Sequence, residues 1–215
     1  MKVNHRFLNE DFNNPKWNVN TLILGTFNPS LGEEFADYYY GRVKLSKKGK
    51  KRFSNRFWPS LTKYIQSIDN NFPDLLPGDY NSKKNLMRKL NFACLDLIKS
   101  VEVSEDKKAD IIGNGYKDQP LFSTTTKRHY STKDIVLLIK EKKIKKVIAS
   151  WGAFTDAKNP KSVRAEVNRE INKIKDSSPN TVFKIDIDGS GNLPPFGKPL
   201  VTELVLGKLI YEEII

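Results

Sequence analysis

An asparagine in the segment TLILGTFNPS, residues 21–30, follows a run that predicts a buried strand. The run is the apolar stretch 22–24, which is typical of a strand in a parallel sheet. It breaks at Gly25, and Phe27 and Asn28 follow at once. Open α/β sheets bind their ligands at the carboxyl ends of parallel strands. We therefore expect an aromatic ring and an amide at a ligand-binding edge.

Aromatic and basic residues come soon afterwards. YYYGR occupies 38–42, NRFW occupies 55–58, and the stretch 41–56 that links them contains no acidic residue. A solvated loop would usually mix its signs, so we expect this one to contact phosphates. Its basic residues are Arg42, Lys44, Lys47, Lys48, Lys50, Lys51, Arg52 and Arg56.

These residue types suit an enzyme that takes a base out of the DNA stack. Such an enzyme needs a ring to stack on the base, amides to read its edge and positive charge to hold the backbone. Hydrolysis of the N-glycosidic bond requires no metal or redox group, and we expect no cofactor. An asparagine can orient the water and hydrogen-bond the base, while backbone N–H groups stabilise the departing anion.

Composition sets the class of protein and of partner. The chain has 215 residues, one cysteine and a formal net charge of +12. A single cysteine excludes a disulfide framework and a four-cysteine zinc site. The charge favours DNA as the partner, although a lysine-rich composition from biased coding would also raise it. The sequence has neither an apolar run of ~20 residues nor a signal-peptide core. We expect a cytoplasmic monomer without a membrane partner, associated with the nucleoid if bacterial.

The elements that must position these residues alternate between strands and helices. Strand-like segments lie at 20–25, 92–96, 146–151 and 181–187, and amphipathic helical patterns lie between and after them. This order predicts an α/β three-layer sandwich, with a small central four-stranded parallel sheet and helices on both faces. We expect one domain over 1–215, with a basic insertion at about 43–54. Function is then expected in the loops 27–56, 98–126, 151–160 and 188–199.

Other candidate groups predict less. Cys94 lies within an apolar strand, where a buried inert thiol is the expected state. His129 sits in a polar stretch and is expected to contact DNA or solvent. Asp186 and Asp188 alternate along a strand end and leave open a metal-dependent nuclease.

The quoted motifs resemble a known family. LILGTFNPS, YYYGR and NRFWPSL together resemble the first motif block of the uracil-DNA glycosylase superfamily. The nearest branches are the mismatch-specific uracil-DNA glycosylases and the hypoxanthine-DNA glycosylases. NFACLDLIKSVEV is similar to the second strand of the hypoxanthine branch, and KKVIASWGAF to a third-strand block. The resemblance implies a monofunctional DNA glycosylase that removes uracil or hypoxanthine. A catalytically inactive nucleic-acid-binding module with the same fold is the alternative.

The resemblance also implies roles for single residues. Asn28 takes the water-positioning place when the chains are aligned on Pro29, whereas alignment on Gly25 puts Phe27 there. Tyr40 takes the place of the ring that stacks on the flipped base. Asn55 matches an asparagine that the hypoxanthine branch uses in catalysis, and a helix N-cap is its other interpretation. The implied substrate contacts on this side are Gly25, Thr26, Phe27 and Tyr40.

A second set of contacts is implied near the carboxyl end. GSGNLPPFGKP, residues 189–199, stands where the superfamily carries its second motif. Leu193, Pro194 and Phe196 could then insert into the duplex as an apolar wedge, and a turn-rich loop stiffened by prolines is the alternative. The implied base contacts are Ser190, Gly191 and Asn192.

Overall fold

The computed structural model describes residues 1–7, 15–28, 39–41, 43–45, 51–53, 55–112, 121–149, 163–185 and 201–215. Within them the strands are β1 (Lys2–Asn4), β2 (Thr21–Gly25), β3 (Val43–Leu45), β4 (Lys51–Phe53), β5 (Phe92–Asp96), β6 (Ile98–Glu102), β7 (Lys127–Tyr130), β8 (Lys146–Ala149) and β9 (Val182–Ile185). The helices are α1 (Phe57–Ile68), α2 (Tyr80–Lys89), α3 (Glu105–Ile112), α4 (Thr132–Lys142), α5 (Val163–Asp176) and α6 (Glu203–Ile214).

The central sheet is parallel and has four strands in the order β5-β2-β8-β9. These are the four strands that the apolar runs predicted. Every residue of β2 and of β5 is buried, as expected for strands covered on both faces. The register places Gly25 beside Asp96, so the two strands end at the same edge. The predicted α/β three-layer sandwich is confirmed.

Helices pack in pairs around this sheet. α1 packs along α6, and their backbones approach so closely that a Cβ on Gly207 would collide with the carbonyl of Ser60. α4 packs on α5. Phe57 and Trp58 at the start of α1 are fully buried, and the Trp58 indole donates a hydrogen bond to the carbonyl of Tyr39 at 2.6 Å. The helix thus holds the aromatic segment at 39–40 against the core.

A second sheet was not predicted. β1, β6 and β7 form an antiparallel sheet in the order β1-β6-β7. The prediction of a loop over 98–126 is therefore wrong, because β6 and α3 lie within it. β6 continues from β5 after Leu97 and pairs with the amino-terminal strand. This pairing brings the amino terminus to the edge where β2 and β5 end.

The basic insertion contains a small antiparallel hairpin, β3–β4, where a loop over 27–56 was expected. Its register sets Lys44 opposite Arg52 and Leu45 opposite Lys51. One pair of basic positions, Lys44 and Arg52, is therefore opposed across the hairpin.

In the part of the chain that the structure describes, the helices are all too short or too polar to span a bilayer.

Candidate functional site

The backbones that leave β2 and β5 remain bonded to each other past the ends of the two strands. Leu97 N–H donates to the carbonyl of Gly25 at 2.9 Å, and Ile98 N–H donates to that of Thr26 at 3.0 Å. On the other side, Arg6 N–H donates to the carbonyl of Asn28 at 2.7 Å. The segment 26–28 is therefore fixed from two directions, although it has no regular secondary structure.

Asp96 is the centre of the side chains at this edge and is only 2% exposed. Its Oδ2 accepts a hydrogen bond from Nδ2 of Asn28 at 2.6 Å. Nε2 of His5 lies 2.7 Å from the same oxygen. Hydrogen bonds to a charged acceptor are shorter and stronger than those between neutral groups. We call His5, Asn28 and Asp96 the strand-edge cluster.

Gly25 is required by this arrangement. A Cβ at this position would collide with Oδ1 of Asp96 and lie 3.2 Å from the hydroxyl of Tyr40. The absence of a side chain at Gly25, an implied substrate contact, gives room to these two side chains. Any side chain at position 25 would push the carboxylate of Asp96 away from Asn28.

Aromatic rings surround the imidazole of His5. It stacks on Tyr39 with centroids 5.6 Å apart and an interplanar angle of 29°. Phe7 and Phe27 meet it edge-on at 5.6 Å and 5.8 Å. Phe27 is 5% exposed and packs with Val3 and other residues of the second sheet, so it fills the space between the two sheets.

Tyr40 has an unusual backbone. Its φ is +55°, which is uncommon for a bulky residue and is a form of strain that clusters at functional sites. Its half-buried ring packs against Phe57 with centroids 4.9 Å apart. The ring stands beside Gly25 at the edge where β2 ends, so two of the predicted substrate contacts lie together.

Asn55 and Arg56 have structural partners. Oδ1 of Asn55 accepts a hydrogen bond from the N–H of Phe57 at 2.8 Å, and so satisfies a backbone donor in the first turn of α1. Arg56, which was expected to contact phosphate, donates to the carbonyl of Val201 at 2.6 Å and links α1 to the segment before α6. The N-cap position itself is Arg56, so Asn55 lies one residue earlier than the N-cap interpretation placed it, but its contact with the N–H of Phe57 favours a structural role.

Several predicted site residues lie outside the described residues: Arg42, Lys47, Lys48, Lys50, Ser190, Gly191, Asn192, Leu193 and Phe196, together with Asp186 and Asp188. For Lys44, Lys51 and Arg52 the structure describes the backbone alone.

The two other candidate groups are engaged within the protein. Cys94 is buried in β5, and burial, together with the negative charge of Asp96, raises the pKa of its thiol well above 9.0. It is therefore not an activated nucleophile. His129 pairs through Nε2 with Glu102 at 2.7 Å on the second sheet. Among the described residues, no group of three or more His, Cys, Asp or Glu side chains is arranged to hold a metal ion.

Sequence reasoning missed two members of the strand-edge cluster, His5 and Asp96. Asp96 directly follows the apolar run FACL. A carboxylate at the end of a predicted buried strand indicates a candidate site residue in the same way as Asn28 does. No comparable pattern surrounds His5, because its position depends on the second sheet, which the sequence did not predict.

The fold and this edge define an α/β protein with one polar cluster buried where two parallel strands end. Comparison with known proteins adds no family to that description: no protein-family model, curated protein or solved structure matches the chain.

Proposed function

We propose that this protein is a DNA glycosylase that hydrolyses the N-glycosidic bond of uracil or hypoxanthine flipped out of DNA. The observation that carries the proposal is the fixed amide of Asn28 at the edge where β2 ends, where the strained Tyr40 lies beside Gly25. The motif resemblance, the basic hairpin and the net charge of +12 support the same conclusion.

The proposed chemistry uses the amide as an acceptor. Nδ2 of Asn28 is committed to Asp96, which leaves Oδ1 to accept a hydrogen bond from a water. Held in this way, the water attacks the anomeric carbon of the sugar while the bond to the base breaks. The base leaves with the electron pair, and the attacking water gives its proton to solvent. Orienting one water correctly is the kind of positioning that lowers a barrier most.

Tyr40 has the second role in this proposal. Its ring stacks on the flipped base, and the lysine-rich hairpin holds the phosphates on either side. Stacking tolerates any base, and phosphate contacts carry no sequence information. Amides and backbone groups near the base must therefore distinguish uracil from hypoxanthine.

A nucleic-acid-binding module without catalysis is the second candidate. The observation in its favour is that Asn28 is only 9% exposed and already serves Asp96. In such a module the only role of the strand-edge cluster would be to stabilise the fold.

One experiment separates these functions. The protein is incubated in EDTA with duplexes that carry a single uracil or hypoxanthine, and abasic sites are then cleaved with alkali. We expect cleavage at the modified base, none in a matched unmodified duplex, and a large loss with Asn28→Ala. Binding without cleavage would establish the inactive module, and cleavage that requires an added divalent ion would establish the nuclease.

A further inference from the structure

His5 reaches the strand-edge cluster from outside the central sheet. It follows β1 directly, and its N–H donates to the carbonyl of Lys99 in β6 at 2.8 Å. Its side chain is fully buried, with Tyr39, Phe7 and Phe27 around the ring. A polar ring buried among aromatic side chains must satisfy both of its nitrogens there.

The hydrogen bonds fix the tautomer of this ring. The backbone N–H of Phe7 points at Nδ1 of His5 at 3.1 Å, so Nδ1 is the acceptor. The ring proton is then on Nε2, which donates to Oδ2 of Asp96 at 2.7 Å. Nδ1 therefore accepts one hydrogen bond and Nε2 donates one.

The same logic fixes the amide of Asn28. A carboxylate only accepts hydrogen bonds, so the atom of Asn28 that meets Asp96 is the NH₂ group. His5 and Asn28 therefore donate to one oxygen from two sides. If His5 stopped donating, the carboxylate could rotate, and the amide would lose the acceptor that holds it.

We infer that His5 is a positioning residue, which holds Asp96 in place and through it sets the orientation of the Asn28 amide. This inference rests on the proposed function, in which Oδ1 of that amide holds the water. It adds a residue that neither the motifs nor the resemblance indicated.

A matched pair of variants tests the role. His5→Gln keeps a donor at about the reach of Nε2 and loses the ring, whereas His5→Phe keeps the ring shape and loses the donor. We expect His5→Phe to lower the single-turnover excision rate about 10²-fold with unchanged affinity for the duplex. His5→Gln should recover most of the rate. If packing alone mattered, the order would be reversed, and that result would overturn the inference.

Nuclear magnetic resonance tests the same point without any activity. The chain has two histidines, so ¹⁵N-histidine labelling gives two rings, and His129→Gln identifies the remaining one as His5. We expect a single tautomer with the proton on Nε2 of His5. The side-chain NH₂ of Asn28 should exchange about tenfold faster in His5→Phe and at the normal rate in His5→Gln. A ring protonated on Nδ1, or exchange that does not respond to His5→Phe, would overturn the inference.

The excision assay and the nuclear magnetic resonance measurement test the proposed function and the positioning role separately. If the wild-type protein excises neither base, the proposed glycosylase is wrong, and the resonance data still decide whether His5 holds Asp96 and Asn28. If the wild-type protein excises a base and His5→Phe excises it equally fast, the function stands and the positioning role fails.

Discussion

Among the described residues, two polar clusters differ in the kind of donor that meets their carboxylate. The strand-edge cluster of His5, Asn28 and Asp96 surrounds one carboxylate with donors that carry no charge of their own. The other cluster, which we call the Arg128 clamp, consists of Arg128, Tyr130 and Glu166 and joins opposite charges directly.

The Arg128 clamp uses all three nitrogens of the guanidinium. The guanidinium donates to both oxygens of Glu166, at 2.8 Å and 3.2 Å, and to the carbonyls of Leu121 and Ser123 at 2.9 Å and 3.0 Å. Tyr130 donates its hydroxyl to the same carboxylate at 2.8 Å. The clamp ties β7 and the segment before it to α5, and we interpret it as structural.

We interpret this difference as separating a cluster that supports the fold from one that, in the proposed function, also holds the water. Burial alone would raise the pKa of Glu166, but the hydrogen bonds from Arg128 and Tyr130 outweigh it and lower this pKa below 4.5. Among the residues that the structure describes, the carboxylate of Asp96 is bonded by the side chains of His5 and Asn28, and neither is a lysine or an arginine. Side chains that packing and supporting hydrogen bonds hold in one geometry, as in the strand-edge cluster, are typical of functional sites. We therefore expect changes to the clamp to cost stability and changes to the strand-edge cluster to cost rate.

The largest effect is expected at Glu166. Glu166→Ala leaves the charge of Arg128, whose side chain is 4% exposed, without its carboxylate. Removing one partner of a fully buried pair costs about 3–5 kcal/mol; Glu166 is 34% exposed and Arg128 keeps two carbonyl acceptors, so urea unfolding should show a loss near or below the lower end of that range. Excision per folded molecule should not change. A variant of normal stability that excises slowly would reverse the roles of the two clusters.

Two controls sharpen this prediction. Arg128→Met should cost less than Glu166→Ala, because the side chain of Glu166 is 34% exposed and water can solvate it. The pKa of Glu166 is lowered in the folded state, so its stabilisation is present above pH 4.5 and is lost as the pH falls through the folded-state pKa. Glu166→Gln should flatten that part of the stability profile, measured by urea unfolding from pH 7 to pH 3.

Tyr40 should behave as a member of the strand-edge region. A stack between a base and an aromatic ring is worth roughly 1–3 kcal/mol. Tyr40→Ala should therefore lower the excision rate or the duplex affinity by roughly 5- to 150-fold. Tyr40→Phe should keep most of the activity, since it keeps the ring. Equal damage from both variants would show that the hydroxyl near Gly25 matters instead.

Asn55 lies close to the strand edge but should respond like the clamp. Its Oδ1 accepts a hydrogen bond from the N–H of Phe57, the first residue of α1, and loss of a side-chain acceptor at a helix N-terminus typically costs ~1 kcal/mol. Asn55→Ala should therefore melt at a lower temperature and excise normally at a temperature where it is folded. Asn55→Asp, which keeps the acceptor, should melt near the wild type.

The smallest effect on the chemistry is expected from the basic insertion. Neutralising Lys47, Lys48, Lys50 and Lys51 together should weaken DNA binding without changing the rate for bound substrate. The slope of log affinity against log salt should fall by roughly one unit for each lost phosphate contact. An unchanged slope, measured by anisotropy on a short duplex, would exclude these lysines from the interface.

The central sheet could be predicted because its signal is local. Continuous apolar runs such as LIL at 22–24 and FACL at 92–95 carry enough information to place each strand within one or two residues. β1 and β7 read KVN and KRHY, short and rich in polar residues, so neither periodicity nor propensity distinguishes them from loops. Their pairing with β6 is a tertiary effect.

The candidate site was predictable in part for the same reason. Asn28 follows a recognisable strand and could be named from its position alone. His5 and Asp96 are separated by 91 residues, and only the pairing of β1 with β6 brings them together. Asn55 could be placed before a helix, whereas the contact that distinguishes a cap from a catalytic amide required coordinates.

Single-turnover excision by two asparagine variants tests the central claim most directly. Asn28→Ala and Asn55→Ala are compared on the duplex that the wild type cleaves, at a temperature where melting curves show both to be folded. We predict that Asn28→Ala slows excision by about 10²–10³, the loss expected when a catalytic hydrogen-bonding group is removed, and that Asn55→Ala retains the wild-type rate. A folded Asn28→Ala that excises at the wild-type rate, with Asn55→Ala inactive, would contradict the account and make Asn55 the catalytic amide.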